Sequence, residues 1–159
     1  MVPGGYDPHE RVKVMDAEGI DMTLVYPSLG ICWEHSCRDP QLAAACCRAY
    51  NNWVFDFCRP YPERLVPVAH IPVLDLQEGV KELIRTAKLG AKAAMILGLP
   101  PGNVPLGTPY YDPLWATAQD INIPITIHPG NGTGAAWART YKEEDITHWW
   151  SFVVTPLDM

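Results

Sequence analysis

Runs of consecutive apolar residues alternate along the chain with segments whose apolar residues recur every three or four positions. The consecutive runs predict four buried strands, at 22–26, 65–71, 93–97 and 123–128. A segment with helical spacing precedes each strand, and each such helix is predicted to start at an aspartate: Asp7, Asp39, Asp75 or Asp112. Such an aspartate can accept a hydrogen bond from a free backbone N–H at the helix start. Helix and strand repeated four times predict an α/β fold with a parallel sheet.

The first two predicted helices carry more detailed expectations. Glu10 stands where it could complete a capping box with Asp7, and Gly19 is expected to end the first helix. The second helix has an apolar stripe with the spacing of one face, formed by Leu42, Cys46, Ala49, Tyr50, Trp53 and Phe57. Beyond a flexible loop at 131–134, a further helix is predicted over 143–154.

Length and charge limit the kinds of partner. The chain has 159 residues, which suits one domain, and its 12 basic and 18 acidic residues give a net charge of −6. Because no basic stripe interrupts this balance, nucleic acid and anionic membranes are not expected partners. No apolar run approaches the roughly 20 residues that span a bilayer. The first residues have no signal-peptide pattern, so the expected location is the cytoplasm.

The five cysteines form no C-x-x-C pair. Their odd number disfavours a disulfide framework, and their spacing is not that of a zinc-thiolate motif. Cys46 and Cys47 fall in the second predicted helix, where we expect small, buried or half-buried side chains.

His128 is the main candidate for chemistry, because it ends a β-branched strand directly before a Pro-Gly turn. In α/β folds, ligands gather at the carboxyl ends of strands, and imidazole is the commonest metal ligand. The alternative is a strand-end histidine satisfied by backbone groups. For His70, inside an apolar strand, we expect a hydrogen-bonded structural role. His35 suits a solvated loop, and His9 and His148 suit helix surfaces.

Several short motifs, in order, resemble the amidohydrolase-related family often called amidohydrolase 2. That family includes aminocarboxymuconate semialdehyde decarboxylase and the resorcylate decarboxylases. The resemblance covers most of residues 4–134. Its motifs are Tyr6–Pro8, Glu18–Asp21, Tyr26–Gly30, Ala49–Trp53, Pro62–Leu65, Tyr111–Trp115 and Pro124–Gly130.

The resemblance implies a (β/α)₈ barrel, a TIM barrel, with one divalent metal, usually zinc. In the family, a His-x-His pair on the first strand, a histidine on the fifth and an aspartate on the eighth hold that metal. His128 matches the fifth-strand ligand, and the sequence contains no His-x-His. The expectation is therefore that residues 1–159 form one incomplete barrel domain with strands two to five and their helices, in which 134–159 is a loop and helix.

The function implied by the resemblance is that of a metal-dependent hydrolase or non-oxidative decarboxylase. Its substrate would be a small carboxylated aromatic ring or ring-cleavage product. Because a catalytic zinc takes about three protein ligands, residues 1–159 alone are expected to be inactive. The open edges of a partial barrel are expected to favour a homo-oligomer.

Loops after barrel strands build specificity, so Ser28 and Trp137 are candidate substrate contacts. Trp137, Trp149 and Trp150 suit a subunit contact equally well. Two alternatives remain for the whole chain: an open-sheet α/β binding module that uses no metal, and a non-catalytic remnant or interaction module that has lost the metal site.

Overall fold

A computed structural model describes residues 2–28, 33–98 and 104–128, without the side chain of His35. In these ranges four α-helices alternate with four strands, in the predicted order. The elements are α1 (Pro8–Glu18), β1 (Thr23–Val25), α2 (Pro40–Cys58), β2 (Leu65–His70), α3 (Leu76–Lys88), β3 (Ala93–Leu97), α4 (Asp112–Asp120) and β4 (Ile125–His128). The helix predicted over 143–154 lies outside the described residues. None of the helices in the described ranges is both long and apolar enough to cross a membrane.

The four strands form one sheet in the order β1-β2-β3-β4, and every neighbouring pair is parallel. This confirms the α/β prediction. β3 is buried along its whole length, as expected for a strand covered on both faces.

The sheet has two different apolar faces. On the outer face, Ala69 and Ile96 belong to a core that includes Leu83 of α3 and Leu114 of α4. The opposite face, here called the inner face, carries a separate cluster of Val68, Ala93, Met95 and Leu97. Paired residues of parallel strands point to the same side of a sheet. Since His70 pairs with Met95 and His128 pairs with Leu97, both histidines belong to the inner face.

All four helices start at the predicted aspartates, and three of these aspartates cap their helix. Asp7, Asp39 and Asp75 each accept a hydrogen bond from a first-turn backbone N–H at 2.8 to 2.9 Å. Asp112 does not cap α4, because a 3-10 turn at Pro109–Tyr111 runs directly into the helix and makes Asp112 its first residue.

Two further predictions concern α1. Gly19 ends the helix in the left-handed conformation, with φ 69°, as expected. The prediction that Glu10 completes a capping box is wrong. The backbone N–H of Asp7 donates to Pro3 O at 3.0 Å, and Glu10 instead pairs with Lys13 at 2.6 Å.

The predicted apolar stripe of α2 coincides only in part with its buried face: Phe57 is buried, whereas Leu42 is 55% exposed and Trp53 is 44% exposed. The buried residues of the helix are Ala43, Cys47, Asn51, Val54, Phe57 and Cys58. The helix is rotated relative to the prediction because a polar residue, Asn51, faces the sheet and bonds to β2. The expectation for the adjacent cysteines is confirmed: Cys46 is half-buried and Cys47 is buried.

Candidate metal centre

His128 is the last residue of β4 and lies half-buried at the carboxyl edge of the sheet. Its backbone oxygen accepts a hydrogen bond from Gly98 N at 2.8 Å, which joins the ends of β3 and β4. Burial, and then electrostatic repulsion from the nearby His70, lower the pKa of the His128 imidazole from its usual 6.5. A lowered pKa favours the neutral ring, which is the form that coordinates a metal ion.

His70, on the same face, is 1% exposed and is held at both its backbone and its ring. β1 pairs with β2 only as far as Pro67, so the edge of β2 at His70 needs other partners. Asn51 supplies them: its Oδ1 accepts from His70 N at 2.7 Å, and its Nδ2 donates to His70 O at 2.9 Å. The ring Nε2 lies 2.6 Å from Glu34 Oε2. The predicted hydrogen-bonded position of His70 is confirmed.

Glu34 opens a short 3-10 turn after β1 and is completely buried. A carboxylate oxygen of Glu34, the Cys47 sulfur and a ring nitrogen of His70 all lie within 4.8 Å of one another. Burial, followed by the charges of Glu34 and Glu82, raises the pKa of the Cys47 thiol well above its usual range. This cluster was missed by sequence reasoning, because its members come from a loop, a helix and a strand with no shared motif.

A second layer of polar groups supports Asn51. Its Nδ2 also donates to Glu82 Oε1 at 2.8 Å, and Glu82 receives two hydrogen bonds from Arg85 at 2.6 and 2.8 Å. Burial opposes ionisation of Glu82, but the hydrogen bonds from Arg85 and Asn51 and the charges of Arg85 and Arg48 outweigh it. The pKa of Glu82 is therefore lowered below 4.5.

Of the other predicted site residues, only Ser28 lies in the described part of the chain. Ser28 is exposed and lines a cavity of about 240 Å³ that also contacts Arg11, Tyr50 and Trp53. Among the described residues that line this cavity, neither His70 nor His128 appears. The role of Ser28 as a substrate contact stays a prediction. Trp137 lies outside the described residues.

The arrangement suits metal binding at the carboxyl edge of the sheet. His128 offers a neutral imidazole at the strand end, on the face that a barrel turns inward. It fits the role of one metal ligand. Of the ligand set implied by the resemblance, it is the only member in the described part of the chain, so the described residues supply one of the roughly three protein ligands that a catalytic metal needs.

The sequence matches the amidohydrolase family over residues 1–157. The chain belongs to this family. It is 29% identical over 127 residues to a gamma-resorcylate decarboxylase from Rhizobium sp. (strain MTP-10005), a match that covers 76% of this chain and 38% of the relative.

Two solved structures share the fold. A dihydroxybenzoic acid decarboxylase from Polaromonas sp. JS666 is 26% identical, with a TM-score of 0.70 over 89% of this chain and 42% of that one. An amidohydrolase from Mycobacterium avium subsp. paratuberculosis K-10 is 23% identical, with a TM-score of 0.73 over 90% of this chain and 40% of that one. The described strands therefore form part of a TIM barrel, as predicted, and the chain spans about 40% of the length of these proteins.

The comparisons also bear on the expected metal. The Polaromonas structure contains bound manganese and the inhibitor 2-nitroresorcinol. A divalent metal is therefore supported in the family, whereas zinc, which the resemblance implied, is not confirmed.

Proposed function

We propose that this amidohydrolase-family chain provides strands two to five of a metal-dependent, non-oxidative decarboxylase of small aromatic carboxylates. The observation that carries the proposal is His128, a neutral imidazole at the carboxyl end of β4 on the inner face of the sheet. The gamma-resorcylate and dihydroxybenzoic acid decarboxylases among its relatives support the substrate class. They also favour decarboxylation over the hydrolysis that the family name suggests.

The reaction requires no oxidant. The bond between the ring carbon and the carboxylate breaks, carbon dioxide leaves, and a proton takes its place on the ring carbon. A bound divalent metal supplies Lewis-acid polarisation of the substrate oxygens. In this chain, His128 would hold that metal through an imidazole nitrogen, while Met95 and Leu97 form an apolar wall on the same face. Such a wall excludes water from a ring bound there.

The identity of the metal is part of the proposal. Imidazole and carboxylate ligands accept both zinc and manganese, so His128 does not discriminate between them. We favour manganese over the zinc implied by the resemblance, because a solved relative contains it. Reconstitution of a complete barrel that contains residues 4–128 with each metal in turn decides between them, since only the correct metal restores full turnover.

Residues 1–159 alone are proposed to be inactive. His128 is their one match to the implied ligand set, and a single imidazole binds a divalent cation too weakly to hold a catalytic metal. Incubation of the isolated chain with manganese and 2,6-dihydroxybenzoate is expected to release no carbon dioxide. Turnover by the isolated chain would contradict this proposal.

The activity is tested in a chimera in which residues 4–128 replace the matching segment of the Polaromonas decarboxylase. The relative then supplies the remaining strands, and this chain supplies His128. We expect the chimera to release carbon dioxide from 2,6-dihydroxybenzoate in the presence of manganese. A folded chimera that binds manganese but leaves the substrate intact would argue against decarboxylation by these residues.

The second candidate is a non-catalytic remnant or interaction module, favoured by the small part of the ligand set within the chain. DNA sequence on both sides of the segment that encodes residues 1–159 separates the two. An upstream strand with His-x-His and a downstream metal-binding aspartate support the enzyme. Stop codons in place of those strands support the remnant.

A further inference from the structure

Glu34, Cys47 and His70 bring three different metal-binding side chains to one buried point. They come from the turn after β1, from α2 and from the end of β2, and their ligand atoms lie within 4.8 Å of one another. Each of the three residues is at most 1% exposed. Carboxylate, thiolate and imidazole are the three side-chain groups that proteins use to bind zinc.

The His70 ring is fixed before any ligand arrives. Asn51 holds its backbone at both the N–H and the C=O. The rings of Trp33 and Tyr50 lie beside it, with centroids 6.3 and 6.2 Å from the imidazole. An imidazole held in this way loses little freedom when it coordinates a cation, and the aromatic rings keep water away from it.

Only one of the two carboxylate oxygens of Glu34 has a hydrogen-bond partner among the described residues. Its Oε2 contacts His70, but its Oε1 has no hydrogen-bond partner in the described part of the chain, although the residue is fully buried. A buried carboxylate oxygen without a partner is costly, and native structures rarely keep one without a role.

We propose that Glu34, Cys47 and His70 form a second, buried site for a borderline-soft divalent cation such as Zn²⁺, in addition to the metal held by His128. The charges balance: one carboxylate, one thiolate and one neutral imidazole around a divalent cation sum to zero. On binding, the Cys47 S–H bond breaks, a sulfur–metal bond forms and the proton leaves to solvent. His70 coordinates through Nε2 and carries its own proton on Nδ1.

The distances allow this with small movements. Typical zinc–ligand bonds place neighbouring ligand atoms about 3.3 to 3.8 Å apart. The contact of 2.6 Å between His70 Nε2 and Glu34 Oε2 must therefore open by less than about 1.5 Å, while the sulfur moves closer. A cation there would join the turn after β1 to α2 and β2 at the rim of the sheet, and so stabilise the edge that carries the proposed active site.

Cobalt(II) is the probe for this site, because thiolate coordination produces a sulfur-to-cobalt charge-transfer band that oxygen and nitrogen ligands do not. We expect the purified chain to show the band and to saturate at one equivalent. The band should disappear in Cys47→Ser and persist in the matched control Cys46→Ser, whose half-buried thiol lies one residue away. Glu34→Gln should weaken cobalt binding at least ten-fold. No band in the wild-type chain, or a band that survives Cys47→Ser, would overturn the proposal.

Two further measurements keep the proposal separate from the proposed function. His128→Ala should retain the charge-transfer band, because that histidine belongs to the other proposed metal site. Loss of the band in this variant would show that His128 and Cys47 bind the same cation, which would refute a second site. If Cys47→Ser does not fold, the test uses the wild-type chain instead. The rate at which N-ethylmaleimide alkylates Cys47 is then measured by mass spectrometry. Zn²⁺ should slow that alkylation at least ten-fold, and an unchanged rate would refute the site.

Discussion

Among single residues, Asn51 hydrogen-bonds the backbone N–H and C=O of His70, at the edge of β2 that β1 no longer covers. We expect Asn51→Ala to lower the free energy of unfolding by about 2–5 kcal/mol, because it leaves the N–H and C=O of His70 buried without partners. The exposed neighbour Asn52 offers a matched control, and its alanine variant should stay within about 0.5 kcal/mol of wild type. Urea unfolding measures both. Equal stability of the two variants would show that Asn51 has no structural role.

Glu82 gives the chain a defined response to acid. Because its folded pKa lies below 4.5, its contribution to stability is present above that value and is lost as the pH falls through the lowered folded pKa. Glu82→Gln should therefore be less stable than wild type by about 1–3 kcal/mol at about pH 7. That difference should shrink towards zero in acid. Glu78→Gln changes a more exposed carboxylate, and its unfolding free energy should differ from that of wild type by less than about 1 kcal/mol at either pH. A constant difference for Glu82→Gln across the range would contradict the assigned shift.

The residues of the candidate site differed in how far they could be predicted. His128 and His70 lie in apolar strands, where successive side chains alternate between the two faces of the sheet. That alternation is enough to assign each histidine to a face. Glu34 and Asn51 could not be found in this way. One is a charged residue in a loop and the other is a polar residue in a helix, and hydropathy assigns both to solvent. Both residues contact His70 beyond the point where β1 pairs with β2, an arrangement that only the assembled sheet shows.

At the scale of elements, Gly79 determines how closely α3 approaches the chain that follows β2. A Cβ at Gly79 would lie 2.4 Å from Pro72 O. We expect Gly79→Ala to lower the unfolding free energy by more than about 1 kcal/mol, although alanine favours a helix over glycine by about that amount. Gly107→Ala meets no atom within 4 Å and serves as the control. Thermal unfolding distinguishes them. A Gly79→Ala chain that melts at or above the wild-type temperature would refute the close packing.

Element boundaries were predicted well where local chemistry sets them. Three aspartates and Gly19 mark helix ends through their own hydrogen bonds or backbone angles, so the sequence alone identifies them. The buried face of α2 was predicted only in part: Phe57 is buried as expected, but Leu42 and Trp53 are exposed because the hydrogen bonds of Asn51 turn a different face to the sheet. Side-chain contacts between distant elements are not encoded in local periodicity.

For the whole molecule, exposed apolar side chains on the two edge strands of the described sheet favour association between copies of the chain. Leu24 of β1 is 48% exposed and Ile127 of β4 is 49% exposed, and in the described sheet these two strands are the edges. We predict that the purified chain forms homo-oligomers, and that Leu24→Glu shifts it towards monomer. Leu89→Glu, at a residue 51% exposed beyond the end of α3, is the matched control and should change nothing. Light scattering measures the mass. A monomeric wild-type chain at all concentrations would contradict the prediction.

In the proposed enzyme His128 helps to hold a divalent cation at the rim of the barrel, and metal analysis of the chimera is the decisive experiment. We expect one manganese ion per chimera, and manganese binding that is weaker by at least about 100-fold in His128→Ala. His9→Ala removes an imidazole on the surface of α1 and should leave the metal content unchanged. A His128→Ala chimera that still binds one manganese ion with wild-type affinity would show that His128 is not a metal ligand.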